Sequence, residues 1–443
     1  MLEKIEIGDV GRMKKIFFLC AVLLMFVSCE KIETEYTVLK EKPKREWTVV
    51  VYMAADNNLE SAAILDMNEL EASCFVENKI SVLVLLDRAE GGDGTNGDWT
   101  DTRLFEIKHD KNGKNGTIIS KQIECQELDL CEGRETELDM GDPNTLEGLL
   151  DFAKRKYEAE HYALVLWGHG NGWRGGEGLE KKIESNEKNR AVAFDKATDS
   201  YLSVPNIGKA VKNKNLDIIA FDTCFGGIIE VFYELKDSAK YLVGSPGAVS
   251  VQGFDYTKMF DSLNLTGGSV YDMAECMALS TEEIVSIVDA RGVSEIGNSL
   301  NMLAESIAGT IQSEEKRTET FSVFTNEILS YGENTYPSDF FLDVYDIAKK
   351  YSGSEISEIQ TNSLKLMSCL EKSVVTKNSD EVKLGIYFGE LRSRNSFVPV
   401  FSEYYTNSRI TKDKSAFVNE FTGWVPTESN CTSLLDKLFN ESF

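Results

Sequence analysis

Histidine is scarce in this chain: three residues in 443, beside 73 acidic and 47 basic side chains. Three scattered imidazoles cannot build the usual catalytic zinc site, and no H-E-x-x-H pair occurs. Lysine and arginine form no dense run, and the formal charge is −26. Phosphate binding needs a basic footprint, so nucleic acid is not an expected partner, while cationic substrates stay open. No Walker or Rossmann glycine pattern follows an apolar run. "VGSPGA" (243–248) lacks the G-x-S-x-G spacing of a hydrolase serine. Internal repeats and low-complexity blocks are also missing. What remains, 42% hydrophobic and 27% charged residues, is an ordinary globular mixture, long enough for one large α/β domain and a second region.

"MKKIFFLCAVLLMFVSC" (13–29) carries two lysines, a twelve-residue apolar core from Ile16 to Val27 and a small residue before Cys29. A bilayer-spanning helix needs about 20 residues, so residues 1–29 read as a secretory signal with Met13 the true start. The FVS-Cys ending resembles a bacterial lipobox. That makes Cys29 the lipidated first residue of an exported chain, membrane-anchored at the cell surface or facing the periplasm; a plain cleaved signal is the alternative. Residues 30–45 form a polar tether. Removing Cys20 and Cys29 leaves seven of nine cysteines, so at least one thiol stays unpaired in a monomer. Cys125 and Cys131 are close enough for a small bridge, whereas Cys74, Cys276, Cys369 and Cys431 read as core fillers.

Five short apolar runs read as buried strands: "EWTVVVYMAAD" (46–56), "ISVLVLLD" (80–87), "HYALVLWGHG" (161–170), "LDIIAFDTC" (216–224) and "KYLVGSPG" (240–247). "NNLESAAILDMNELEAS" (57–73) has helical spacing, with Asn57 or Asn58 as N-cap candidates, and Asp142-Pro143 opens a second helix. Near-continuous apolar strands separated by helices imply a parallel sheet covered on both faces. A hairpin is expected from "TRLFEIKHD" and "GTIISKQIE" around "KNGKNG". From about residue 265 amphipathic helices dominate, with Leu300, Leu303, Ile307 and Ile311 at spacings of three and four, and "KLGIYFGE" (383–390) as one late strand. The expected organisation is therefore a catalytic α/β domain over 46–265 and a mainly helical region over 266–443.

Ligands of open α/β sheets bind at the carboxyl ends of the strands. The third run ends in Gly168-His169-Gly170, the fourth in Asp222-Thr223-Cys224. His109 lies in a polar turn, and His161 starts its strand, roughly 20 Å from the far end at about 3.3 Å per residue. Only His169 can meet Cys224 at one edge. "GGIIEVFYEL" reads as a helix whose N-terminus favours a Cys224 thiolate, and His169 can take the proton. The amides of Gly170 and Cys224 can stabilise an oxyanion.

The stretches "WTVVVYMAADNNLE", "GDWTDTRLFEI", "MGDPNTL", "HYALVLWGHGNGWRG", "DIIAFDTCFGG" and "GFDYTKMF", then "FLDVYDIAKKY" and "GIYFGE", resemble the clostripain-type cysteine peptidases, relatives of caspases, legumains and gingipains. The likeness runs from about 46 to 424. It implies a caspase-like fold, a His169–Cys224 dyad, cleavage of protein or peptide substrates after Arg or Lys, and a zymogen matured by self-cleavage. Asp222 takes the place of the acid at the base of the primary specificity pocket, with Asp255 a second candidate. Pro246 and Gly247 stand where relatives often carry polar residues, which leaves the Arg-versus-Lys balance open.

The polar stretch 175–195, with Lys181, Lys182, Lys188 and Arg190, is the expected processing loop, because exposed loops are where chains are nicked. No cofactor is expected to be required. Some relatives bind calcium, but "GGDGTNGDWTD" (91–101) misses the EF-hand spacing, so a solvated loop is expected there and a calcium ion is the alternative. Two rival readings stay open: a non-catalytic surface lipoprotein on the same fold, argued against by intact His169, Cys224 and Asp222, and a legumain-like peptidase cutting after Asn, argued against by Asp222.

Overall fold

The computed structural model describes residues 44–173, 192–331 and 339–390, apart from 76, 78 and 267. The signal segment, Cys29, nearly all of the tether, Cys431 and the basic residues Lys181, Lys182, Lys188 and Arg190 lie outside the described residues.

The chain opens with β1 (Arg45–Ala55), α1 (Glu60–Ala72), β2 (Ile80–Arg88), β3 (Thr102–Glu106), α2 (Pro143–Lys156) and β4 (Ala159–Trp167). It continues through β5 (Val192–Asp195), β6 (Ser200–Leu202), α3 (Val204–Val211), β7 (Ile218–Asp222), α4 (Ile229–Leu235), β8 (Tyr241–Gly244) and α5 (Tyr256–Leu263). Next come α6 (Val270–Leu279), β9 (Val285–Asp289), α7 (Ala290–Thr310), α8 (Glu314–Asn326) and β10 (Asp339–Asp343). The last elements are α9 (Val344–Tyr351), α10 (Ser357–Ser373), β11 (Val374–Lys377) and β12 (Gly385–Glu390).

Eight strands form one sheet in the order β11-β9-β8-β7-β4-β1-β2-β3. The five apolar runs are its parallel centre, while β3, β9 and β11 add antiparallel at the edges. Alternation sends Val50, Tyr52, Leu164, Leu166, Ile219 and Phe221 into one core, with α2, α3, α4, α7 and α10. It sends Val49, Val51, Met53, Ala163, Val165, Ile218 and Ala220 into the other, with α1, α5 and α6. Each fully buried valine, leucine, isoleucine, phenylalanine or methionine among them contributes about 1.5–3 kcal/mol, and a strand buried on both faces has no polar side to show. That is why these strands read as unbroken apolar runs. The architecture is the expected α/β sandwich of a mostly parallel sheet between helices.

Local details differ from the sequence expectations. Past residue 265 the chain supplies four strands rather than one, and β9 and β11 extend the same eight-stranded sheet. The expected hairpin stops at β3. Glu71 takes the amides of Ile119 and Ser120 instead, so only an isolated Phe105–Gln122 bridge forms. Asp142 does cap α2, accepting from the Asn144 amide at 2.9 Å. Asn57 instead pins the turn before α1 by accepting from the Leu59 amide. Cys125 and Cys131 both carry free thiols, and Cys74 is exposed rather than a core filler.

Candidate active site

Strands β4 and β7 run parallel in register, Trp167 opposite Asp222. His169 and Cys224 each lie two residues past that pair, so the register sets them side by side at the carboxyl edge. The Gly168 amide donates to the Asp222 carbonyl at 3.3 Å. Gly170 lies so close that a Cβ would come within 2.4 Å of the Cys224 carbonyl oxygen, so only glycine allows this approach. The next contact is similar: a Cβ on Gly227 would meet the Gly244 carbonyl at 2.4 Å, which lets β7 turn out against β8.

His169 is half-buried, and its Nε2 donates to Asn58 Oδ1 at 2.7 Å. That bond sets the tautomer, with the proton on Nε2 and Nδ1 the basic nitrogen. His161 sits at the opposite end of β4, where Nδ1 is 3.3 Å from Asp217 Oδ2 and the ring packs on Trp47.

The Cys224 thiol is held by one residue of the loop after β8. The Val249 amide donates to Sγ at 3.3 Å, and Sγ donates to the Val249 carbonyl at 3.7 Å. Phe225 follows in the left-handed region, φ 55°, and donates its amide to Gly247 at 2.8 Å; it stacks on Phe341 at 4.0 Å. A bulky residue held at positive φ beside a reactive group stores strain.

The expected thiolate-favouring helix does not reach the thiol. Helix α4 starts at Ile229, and the two intervening glycines are spent on the crossing with β8. Burial pushes the Cys224 thiol above its ordinary value, and the charges of Glu283 and Asp222 add to this against the Val249 amide. Glu283 also holds the loop itself, accepting from the Ser250 amide at 3.1 Å. Sequence reasoning gave Asn58, just past the end of β1, only a capping role, and it missed Glu283, which lies in no apolar run.

Asp222 is buried in the α5–α6 layer, where the Phe254 amide donates to it at 3.1 Å and the Tyr256 hydroxyl at 3.0 Å. Burial, then the nearby Glu69 charge, push its carboxyl up to about 7 against those hydrogen bonds. Side-chain alternation does not carry from Asp222 to Cys224, because it ends with β7: the chain turns at 223–225, and Cys224 packs with the opposite core. Behind Asp222, buried Asp66 accepts from Trp167 Nε1 at 2.7 Å, and burial first and then the Asp222 charge raise its carboxyl. Asp255 is otherwise employed. It caps α5 through the Lys258 amide and lies 3.7 Å from Lys114 Nζ.

The model of the clostripain family matches residues 51–423. Clostripain of Hathewaya histolytica is 27% identical over 427 residues, covering 82% of this chain and 77% of the relative. Among solved structures, a secreted C11 cysteine protease from Bacteroides thetaiotaomicron, in complex with an irreversible peptide inhibitor, superposes with a TM-score of 0.56 at 18% identity, covering 84% of this chain and 99% of that one. An inactive zymogen C11 protease from Parabacteroides distasonis gives a TM-score of 0.55 at 17% identity, covering 85% and 98%. With a matched stretch that starts within β1 and includes the other four parallel strands and both His169 and Cys224, this chain belongs to the clostripain family and is a cysteine endopeptidase of caspase-like α/β fold.

Proposed function

We propose that the chain is an exported, lipid-anchored endopeptidase that cuts protein or peptide substrates after Arg or Lys, with Cys224 as nucleophile and His169 as base. One observation carries the dyad: His169 and Cys224 extend a registered strand pair to the same edge, and the Asn58 bond leaves His169 with Nδ1 as the basic nitrogen. The thiol attacks the scissile carbonyl as its proton passes to the imidazole. The oxyanion falls to the amides of Cys224 and Gly170, and the imidazolium then protonates the leaving amine.

Basic specificity is supported by the field under the thiol. Asp222 and Asp66 are buried without an ion pair to any lysine or arginine of the described residues. A substrate guanidinium or ammonium supplies the missing cation, and a buried carboxylate gains most from such a partner. The Val249 contact and the raised thiol fit a latent single chain. Gly170 and Val192, on either side of Lys181, Lys182, Lys188 and Arg190 in sequence, form an antiparallel bridge, a contact that would help hold two chains together after a cut between them. Anchoring rests on Cys29; among the described residues no helix is long and apolar enough to cross a membrane.

The test is residues 30–443 and its Cys224→Ala variant against peptides that differ only in Arg, Lys, Asn or Asp before the cut. Cleavage after Arg and Lys alone, absent in the variant, is expected. Cleavage after Asn would transfer the chain to the legumain-like reading.

A further inference from the structure

The loop after β8 touches both Cys224 and Asp222. Val249 brackets the Cys224 sulfur with its amide and its carbonyl. Five residues further on, the Phe254 amide donates to Asp222 Oδ1 at 3.1 Å. The chain is fixed on either side of this stretch. Gly247 accepts from the Phe225 amide at 2.8 Å, and the Asp255 amide donates to the Ser280 carbonyl at 3.3 Å on the way into α5. Between these anchors Ser250, Val251 and Gln252 are exposed, Val251 to 62%. The Gly253 amide donates to the Ser250 carbonyl at 3.0 Å and closes a turn. A shift at one end of so short a turn is felt at the other.

Gly253 is the tight point. It stands at φ 52°, and a Cβ there would come within 2.5 Å of Asp222 Oδ1 and 2.9 Å of Oδ2. Its backbone therefore lies directly against the carboxylate, which is buried. A guanidinium or an ammonium is larger than the single carbon this contact already excludes. It cannot pass to Asp222 on this side unless Gly253 gives way.

We propose that the stretch Val249–Phe254 is a specificity gate: a substrate cation that seats on Asp222 displaces Gly253, and the same movement draws Val249 off the Cys224 sulfur. The gate rests on the reading of Asp222 as the acceptor of the substrate's Arg or Lys. It goes further, because the correct side chain then uncovers the nucleophile as well as binding, which is induced fit in the service of specificity. Burial is the largest influence on the thiol and raises it, more strongly than the Val249 amide lowers it. Uncovering the sulfur thus favours the thiolate even as the amide contact is lost. Pairing Asp222 with a cation also offsets one of the two negative charges that act on the thiol, the other being Glu283. Glu283 sets how firmly the gate is shut, through the Ser250 amide.

The test follows alkylation of Cys224 by iodoacetamide in the chain 30–443 at fixed neutral pH, with the adduct mapped by mass spectrometry. Methylguanidine is the probe, since it carries the cation and no carbonyl to be attacked; N-methylurea is its neutral counterpart. Methylguanidine should speed alkylation about fivefold by exposing a larger thiolate fraction, and N-methylurea should not. Asp222→Asn should lose the response. Gly253→Ala should speed alkylation with no cation present, because its methyl group pushes the turn off Asp222, and should respond no further. If Gly253→Ala does not fold, the wild-type response decides alone. Methylguanidine that competes with an Arg peptide yet leaves alkylation unchanged, or slows it, would overturn the gate while basic specificity stands. No competition, together with no cleavage after Arg, would remove basic specificity and the gate with it.

Discussion

Replacing Asp222 by Asn isolates the charge under the thiol while keeping the side chain's shape. In the folded chain, burial holds this carboxyl near 7, far above the unfolded value of about 3.9. The sign follows directly: ionising Asp222 costs the fold stability as pH rises from about 4 to 7, and the cost is constant beyond. The amide side chain removes that cost at neutral pH, and its oxygen can still accept from the Phe254 amide, so melting should hold steady or rise. Activity should move the opposite way. Removing one partner of a buried ion pair leaves the other charge unmatched, a loss of about 3–5 kcal/mol, or roughly a hundred- to a few-thousand-fold in kcat/KM. The assay is kcat/KM for a peptide with Arg before the cut, set against alkylation of Cys224 by iodoacetamide, which carries no cation. A large fall in cleavage with alkylation nearly unchanged is expected. Equal losses in both would mean that Asp222 supports the thiol or the loop rather than the substrate. Unchanged cleavage would redirect the search to Glu283, whose charge acts on the thiol.

Cys224→Ala and His169→Ala should each abolish hydrolysis, since nucleophile and base act as a unit, while His161→Ala at the far end of β4 keeps turnover. Asn58→Ala should lower kcat by about a hundredfold through a misplaced imidazole, and an unchanged kcat would remove Asn58 from the account. Because burial and Glu283 raise the Cys224 thiol, alkylation of the single-chain form should stay slow until the pH exceeds the ordinary cysteine value of about 8.5. Glu283→Gln removes a negative charge and should shift that profile to lower pH; a shift the other way contradicts the electrostatics. Wild-type protein should convert to two associated chains cut near Lys181, Lys182, Lys188 or Arg190, and Cys224→Ala should not. A fully active, uncut wild type would end the maturation proposal.

Much of the candidate site was legible because it is written locally. Each strand is an apolar run, and the residue that stops it marks the edge: Gly168-His169 after β4, Asp222-Thr223-Cys224 after β7. What the sequence hid depends on contacts between distant segments. The thiol environment is set by Val249 and Glu283, 25 and 59 residues further on, so the helix-favoured thiolate expected from "GGIIEVFYEL" gives way to a buried, capped thiol. The face of Cys224 is not readable from alternation, which holds only while the strand lasts, and β7 stops at Asp222. Asp56, Asp87, Glu137 and Asp195 come together, and three of them had a visible trace, since "MAAD" (53–56), "VLLD" (84–87) and "AFD" (193–195) each end an apolar run in aspartate. Their convergence depends on the strand order, which local pattern does not encode. The strands β9 and β11 escaped notice as short runs between strong helices, and Asp222 itself was found by motif position while its hydrogen bonds to Phe254 and Tyr256 came only from the fold.

The most direct test of a Cys224 nucleophile in a basic-specific site is covalent capture. The wild-type chain is incubated with an acyloxymethyl ketone peptide bearing Lys before the warhead, then digested and mapped by mass spectrometry. A single adduct on Cys224, absent in His169→Ala and suppressed in Asp222→Asn, is the predicted result. An adduct on Cys74 or Cys131, or equal capture by a probe bearing Asp in place of Lys, would contradict it.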